Sequence, residues 1–305
     1  TTSSKIDNAV KIDARYGHPV VHVLDASRSV PVVGQLLGKG TKDDFARDVR
    51  EEYARMREAH ANRKQTKKYI SVEDAEKNRK VVEFNNETVA KPNQLGIYTI
   101  DNFALDDLVD YIDWTPFFST WQMKGKYPRI FDSKKYGTEA KKLFDDAQNM
   151  LREIIDAGVF NAKAVYGLFP ANRNDDDQIE VYSTNNGGSV QTKLSHLRQQ
   201  TEKAENVPNY CLTDYIAPKD SGIQDYIGGF AVAIHGVDEY AKTYEEKDDD
   251  YNAILVKSLG DRFAEAFAER LHQRVRTTYW GYAPDEDLTN EELVKENYRG
   301  IRPAP

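Results

Sequence analysis

The 305-residue chain is defined first by what it lacks. It has one cysteine, Cys211, so no internal disulfide can form, which fits a reducing compartment such as the cytosol. One cysteine and six scattered histidines (His18, His22, His60, His196, His235, His272), none of them in an HExxH motif, argue against the usual zinc sites. GxGxxG, GxxxxGK[ST] and GxSxG are all missing, so the common dinucleotide, P-loop and serine-hydrolase readings have no footing. Basic excess is also absent. A net charge of −8 argues against nonspecific nucleic-acid binding, which needs a basic face. No run approaches the ~20 apolar residues of a membrane helix, and the opening TTSSKIDNAVKIDARYG has no apolar signal-peptide core.

What remains is a globular composition: 30% charged, 39% hydrophobic and rich in tyrosine, 18 against 12 phenylalanines. HPVVHVLD (18–25) reads as a buried strand. TKDDFARDVREEYARMREAH reads as a helix, with Thr41 as N-cap and Phe45, Val49, Tyr53 and Met56 on one face. Strand then helix resembles the terminal βα unit of an α/β domain, assigned to 1–60. Polar residues 61–100 read as a linker with one short helix capped by Ser71.

A second domain is expected over 101–305. LDDLVDYI is a short helix ended near Pro116. Residues 137–157 carry a stripe from Ala140 to Ile155 and stop at Gly158. AVYGLFP and QIEVYS flank ANRNDDD as a hairpin. SHLRQQTEKA reads as helix, YCLTDYI and YIGGFAVAI as strands, the latter with a bulge at Gly228-Gly229. A long helix spans 251–280, and a last one, 290–300, is capped by Thr289 or Asn290 and closed by Gly300. The sum is an α+β fold with a mostly antiparallel sheet and surrounding helices.

Three side chains stand out. Asp113 lies among Tyr111, Trp114, Phe117, Phe118, Trp121 and Tyr127. A carboxylate against aromatic walls suits a cationic ligand, while the alternative is a local bond to backbone amides. Glu265 lies opposite the apolar face of Leu259, Phe263 and Phe267, near Asp261, Glu269 and His272; alone it reads as a solvated charge. Arg302 follows a helix end, where arginines are ordinarily solvated. Pro303 and Pro305 stiffen its frame, and its fork matches a ligand carboxylate.

The stretches YIDWTPFFSTWQMKGKYPRI, GLFPANR, SHLRQQTEK, NYCLTDYIAPK, DYIGGFAV, DDDYNAILVKSLGDRFAEAFAERLH and ENYRGIRPAP together resemble one family closely. It is the C-terminal, S-adenosylmethionine-binding activation domain of cobalamin-dependent methionine synthase. VVHVLDASRSV is similar to the end of that enzyme's cobalamin-binding domain. The resemblance implies a methyltransferase that moves a methyl group from methyltetrahydrofolate to homocysteine. It implies that this region holds S-adenosylmethionine for reductive methylation of cob(II)alamin, with a flavodoxin-type electron donor.

By the same resemblance, Asp113, Glu265, Arg302 and Ala304 match S-adenosylmethionine-contacting positions, and Ala26 a cobalamin-contacting one. Cobalamin itself is held mainly by a domain absent from the chain, and zinc belongs only to absent domains. The implied partners are the cobalamin-binding domain of the same enzyme and a flavodoxin-type reductase; Lys124, Lys126 and Arg129 read first as a solvated loop and alternatively as a basic patch for an acidic reductase surface. In the family the RPAP segment continues into Gly-Tyr and a further tyrosine contact. The family's cobalt-ligating DxHxxG loop and its folate and homocysteine domains are absent from the chain, so the fragment alone is expected not to form methionine. A rival expectation is a non-catalytic interaction subunit that docks a corrinoid or flavodoxin-like protein without binding S-adenosylmethionine.

Overall fold

The computed structural model describes residues 4–23, 28–38, 40–65, 68–184, 188–289, 292, 293 and 295–302. Ala26, Asn290 and Ala304 lie outside them. The chain divides into two compact units: Thr1–Lys80 with Arg198–Tyr210, and Val81–Leu197 with Cys211–Pro305. The stretch expected as a linker, 61–100, is shared between them.

The first unit is helical: α1 (Lys5–Asp7), α2 (Ser29–Leu37), α3 (Lys42–Gln65) and α4 (Val72–Lys77). Tyr53 of α3 is buried, as its place in the apolar spacing requires. Arg57, one turn on, reaches the Ala9 carbonyl at 2.9 Å and the Asp13 carboxylate at 2.7 Å. Ser71 caps α4 as expected, accepting from the Asp74 N–H at 3.1 Å. Thr41 does not cap in the expected way; its hydroxyl donates to the Gln35 carbonyl at 2.9 Å.

Two expectations fail in this unit. Residues 18–23 form no strand, because no partner strand among the described residues takes up their backbone groups; the His22 N–H donates to the Tyr53 hydroxyl at 3.0 Å. Residues 196–204 are not helical. Their backbone bonds outward instead: Ile70 N–H to the Gln200 carbonyl, Glu202 N–H to Lys68 and Gln199 N–H to Tyr210. Asn209, fully buried, fixes this arrangement. Its amide donates to the Gln199 and Thr201 carbonyls at 2.7 and 2.9 Å, and its side-chain oxygen accepts from Asn78 at 2.8 Å.

The second unit holds a five-stranded antiparallel sheet: β1 (Gly96–Phe103), β2 (Asn161–Arg173), β3 (Gln178–Tyr182), β4 (Val190–Ser195) and β5 (Asp225–His235). The thirteen-residue β2 organises it. Its first half pairs with β1, its last residues with β3, and its other edge with β5 along most of its length. β3 and β4 extend the sheet. The β2–β3 hairpin is the one expected from the sequence. β5 pairs without a register shift, so the bulge at Gly228-Gly229 does not occur. A Cβ on Gly228 would stand 2.8 Å from Leu168 Cδ2 and 3.4 Å from the Trp280 ring, so close approach and not a kink accounts for that glycine.

Helices α5 (Asp106–Val109), α6 (Trp114–Thr120), α7 (Gly137–Ala157), α8 (Val237–Glu245) and α9 (Asp250–Arg274) pack around the sheet. α7 buries Ala140, Leu143, Ala147, Met150, Leu151 and Ile154, and ends on Gly158 in the left-handed region. Pro116 does not terminate a helix. It lies in the first turn of α6, where its missing N–H costs nothing. Leu212–Tyr215 form a 3-10 turn and not a strand, because the Asp214 carboxylate accepts the Cys211 N–H at 3.0 Å and closes the backbone on itself. Of the last expected helix, 290–300, Glu292 and Leu293 are helical and 295–300 are not, while 290, 291 and 294 lie outside the described residues. Glu292 folds back onto the Thr289 N–H and hydroxyl, and Glu296 takes a left-handed conformation. The core runs through Leu108, Phe117, Phe118, Ile130, Leu143, Ile154, Leu259, Phe263 and Phe267.

Candidate functional site

α9 is the frame of the site. Asp249 caps it, accepting from the Asn252 N–H at 3.1 Å. Leu255, Leu259, Phe263, Phe267 and Leu271 bury one face, as the apolar spacing anticipates. Glu265, Glu269, His272 and Arg276 follow at steps of four, three and four, which places them along a second stripe. The helix passes into a wider π turn, Val275–Tyr279. Beyond that turn the Trp280 indole donates to the Ala90 carbonyl at 2.8 Å.

Arg276 is fully buried. Its guanidinium meets both oxygens of Glu286, at 2.8 and 2.5 Å, and donates to His272 Nδ1 at 2.6 Å. The Tyr298 ring covers it, 4.4 Å from the guanidinium carbon to the ring centre. His272 therefore accepts through Nδ1 and carries its proton on Nε2. Burial, with the charges of Arg276 and Arg302 beside it, pushes its pKa down to about 3. Tyr298 also meets the His272 ring edge-on at 4.8 Å.

Tyr298 begins a strap laid against this stripe. Arg299 donates to the Tyr282 carbonyl at 3.1 Å. Gly300 has φ 103°, and a Cβ there would come within 2.7 Å of the Tyr282 hydroxyl, so only glycine fits without displacement. Two residues on, Arg302 Nη2 donates to Glu269 Oε1. The strap thus brings Arg302 to within one helical turn of Glu265, which is exposed.

Asp113 is placed by α6. Its Oδ1 accepts from the Thr115 N–H at 2.9 Å as the N-cap, which is the local reading of the sequence. Oδ2 has no hydrogen-bond partner among the described residues. The segment leading to it is fastened to α9 by Tyr111, whose hydroxyl donates to Gln273 Oε1 at 2.6 Å and accepts from Arg270 at 2.9 Å. Of the three predicted side chains, Arg302 contacts Glu269, which lies one helical turn from Glu265 on the same stripe. Asp113 reaches the same helix through a neighbouring one. Ala26 and Ala304 lie outside the described residues.

The sequence reading did not pick out Arg276, Glu286 or Tyr298, and treated His272 as part of a solvated face. The steps of four and three from Glu265 were the available signal. Two surface hollows, of about 450 and 320 Å³, lie toward the start of α9 around Asp146 and Tyr251. Neither is lined by Asp113, Glu265 or Arg302. The larger is walled by Asp146 and Glu153 and gives no cation to meet a carboxylate.

Residues 104–305 match the family model described as vitamin B12 dependent methionine synthase, activation domain. A solved structure, described as the MetH reactivation domain bound to AdoHcy, is 49% identical in sequence. The match covers 78% of this chain and 72% of that one, with a TM-score of 0.73.

Proposed function

The chain belongs to the family of vitamin B12-dependent methionine synthase activation domains, and from that premise we propose that its second unit binds S-adenosylmethionine as the methyl donor for reactivation of the enzyme's corrinoid. The observation that carries the reading is the strap: Gly300 and Tyr298 bring Arg302 onto Glu269 of α9, one helical turn from Glu265. A similar domain is described as bound to AdoHcy, the demethylated form of the same ligand.

The ligand's charges match the site's. Its carboxylate suits the Arg302 fork, and its ammonium and sulfonium suit the free Asp113 oxygen and Glu265. Cobalamin, held by its own domain, would supply the nucleophile. The sulfonium departs as a neutral thioether, so this chain needs no general acid or base. Its residues bind and orient, and alignment is their whole contribution. A flavodoxin-type donor is the proposed source of the electron, with the exposed Lys124, Lys126 and Arg129 as its docking patch. Replacing Lys124 and Lys126 by glutamate should weaken that docking and flatten its salt dependence; unchanged docking would remove the patch from the account.

Calorimetric titration of the full chain with S-adenosylmethionine tests the ligand. Binding is expected, weakened at least tenfold by Arg302→Ala and by Asp113→Asn, a loss of about 1.4 kcal/mol or more in each. No binding, or binding indifferent to both substitutions, would sink the assignment.

A further inference from the structure

Among the described residues the Arg302 guanidinium has one hydrogen-bond partner, Glu269, and the geometry of that contact bears on ligand choice. Both side chains are largely withdrawn from water, at 17% and 12% exposure. The contact is made at one point, Nη2 to Oε1. Arg302 Nε and Glu269 Oε2 are buried with no hydrogen-bond partner among the described residues. An arginine and a carboxylate free to choose would form the two-point fork. This pair is held short of it, which leaves part of the guanidinium edge for another acceptor.

Resting on the proposed ligand, we infer that Glu269 is the positioning residue for Arg302 and makes the site selective for a zwitterionic α-amino-acid end. Two roles are open to a carboxylate in this place. It could compete with the ligand's carboxylate for Arg302, or it could hold Arg302 for the ligand. Competition would require the ligand to strip Glu269 of its cation and strand a nearly buried carboxylate, a large penalty. Holding requires only that the ligand add to the free edge.

Adding a bare anion to a neutral pair would leave one uncompensated negative charge in a half-dry place. A zwitterion brings its own ammonium and keeps the cluster neutral. The side chain being held is long, with much rotamer freedom to lose, so a fixed carboxylate reduces what the ligand must order on binding.

The test compares S-adenosylhomocysteine with 5′-methylthioadenosine, which has the same nucleoside and thioether but no amino-acid end. Dissociation constants of both are measured on the full chain and on Glu269→Gln, Glu269→Ala, Arg302→Ala and the Glu269→Ala/Arg302→Ala double variant. Both Glu269 variants should weaken S-adenosylhomocysteine roughly tenfold and leave methylthioadenosine unchanged, and the double variant should be no weaker than Arg302→Ala alone. Tighter or unaltered S-adenosylhomocysteine binding in Glu269→Gln would overturn the inference, as would an equal loss for both compounds, the mark of a purely structural role. If the unsubstituted chain binds neither compound, the ligand assignment itself fails first.

Discussion

At the scale of single residues, His272 near the end of α9 and Arg276 in the π turn after it are both buried. Arg276 has no exposure and Glu286 is its carboxylate partner. Arg276→Met would leave Glu286 buried and unpaired, and is expected to cost about 3–5 kcal/mol in urea unfolding. His272 contributes a pH dependence of defined sign. Its pKa is held at about 3 in the folded state, against an ordinary 6.5. As pH falls below about 6.5 the unfolded chain takes up a proton that the folded chain refuses. Stability is therefore level above that pH and falls between about 6.5 and 3, by up to several kcal/mol at ~1.4 kcal/mol per unit. Unfolding of His272→Gln across this range should show a shallower acid slope than the parent; an identical slope would remove His272 from the account.

At the scale of elements, the strap from Tyr298 to Arg302 depends on backbone geometry that a side chain would spoil. Gly300→Ala forces a Cβ into a left-handed conformation and against the Tyr282 hydroxyl. It should weaken S-adenosylmethionine about as much as Arg302→Ala does, while shifting Tm by only a few degrees. Equal affinity in calorimetry would show that the strap does not position Arg302. Elsewhere the elements follow their sequence signals where the signal is strong and local. α7 has an unbroken stripe and a glycine stop, and β2 and β3 flank an evident turn. The signal fails where a single polar side chain overrides the local preference. Asp214 closes a 3-10 turn over residues that read as a strand, and Asn209 holds 199–201 extended where the composition reads as helix. Both decisions rest on hydrogen bonds to the main chain, which apolar periodicity does not register.

At the scale of the whole molecule, the chain's two units are not two consecutive stretches of sequence. Residues 198–210 leave the second unit's sequence and complete the first, tied to 68–80 by Asn209, Asn78 and the Tyr69–Thr201 bridge. Asn209→Ala removes a hydrogen bond from the Gln199 and Thr201 carbonyls and from the Asn78 amide, and should speed hydrogen exchange in both 68–80 and 198–210 together; a change confined to one would show that the two do not open as one. The candidate site was legible in the sequence as isolated charges, Asp113, Glu265 and Arg302. That Arg302 meets Glu269, one turn from Glu265, was not legible, because the contact runs from α9 to a strap more than thirty residues later, and because Glu269 looks like any solvated glutamate on a helix.

The most direct measurement is a crystal structure of the chain soaked with S-adenosylhomocysteine. The account predicts the ligand's carboxylate on the Arg302 guanidinium, with Glu269 still in place on the other side and Glu265 within one helical turn. Density for the ligand in the hollow between Asp146 and Tyr251, or anywhere that leaves Arg302 without it, would contradict the account.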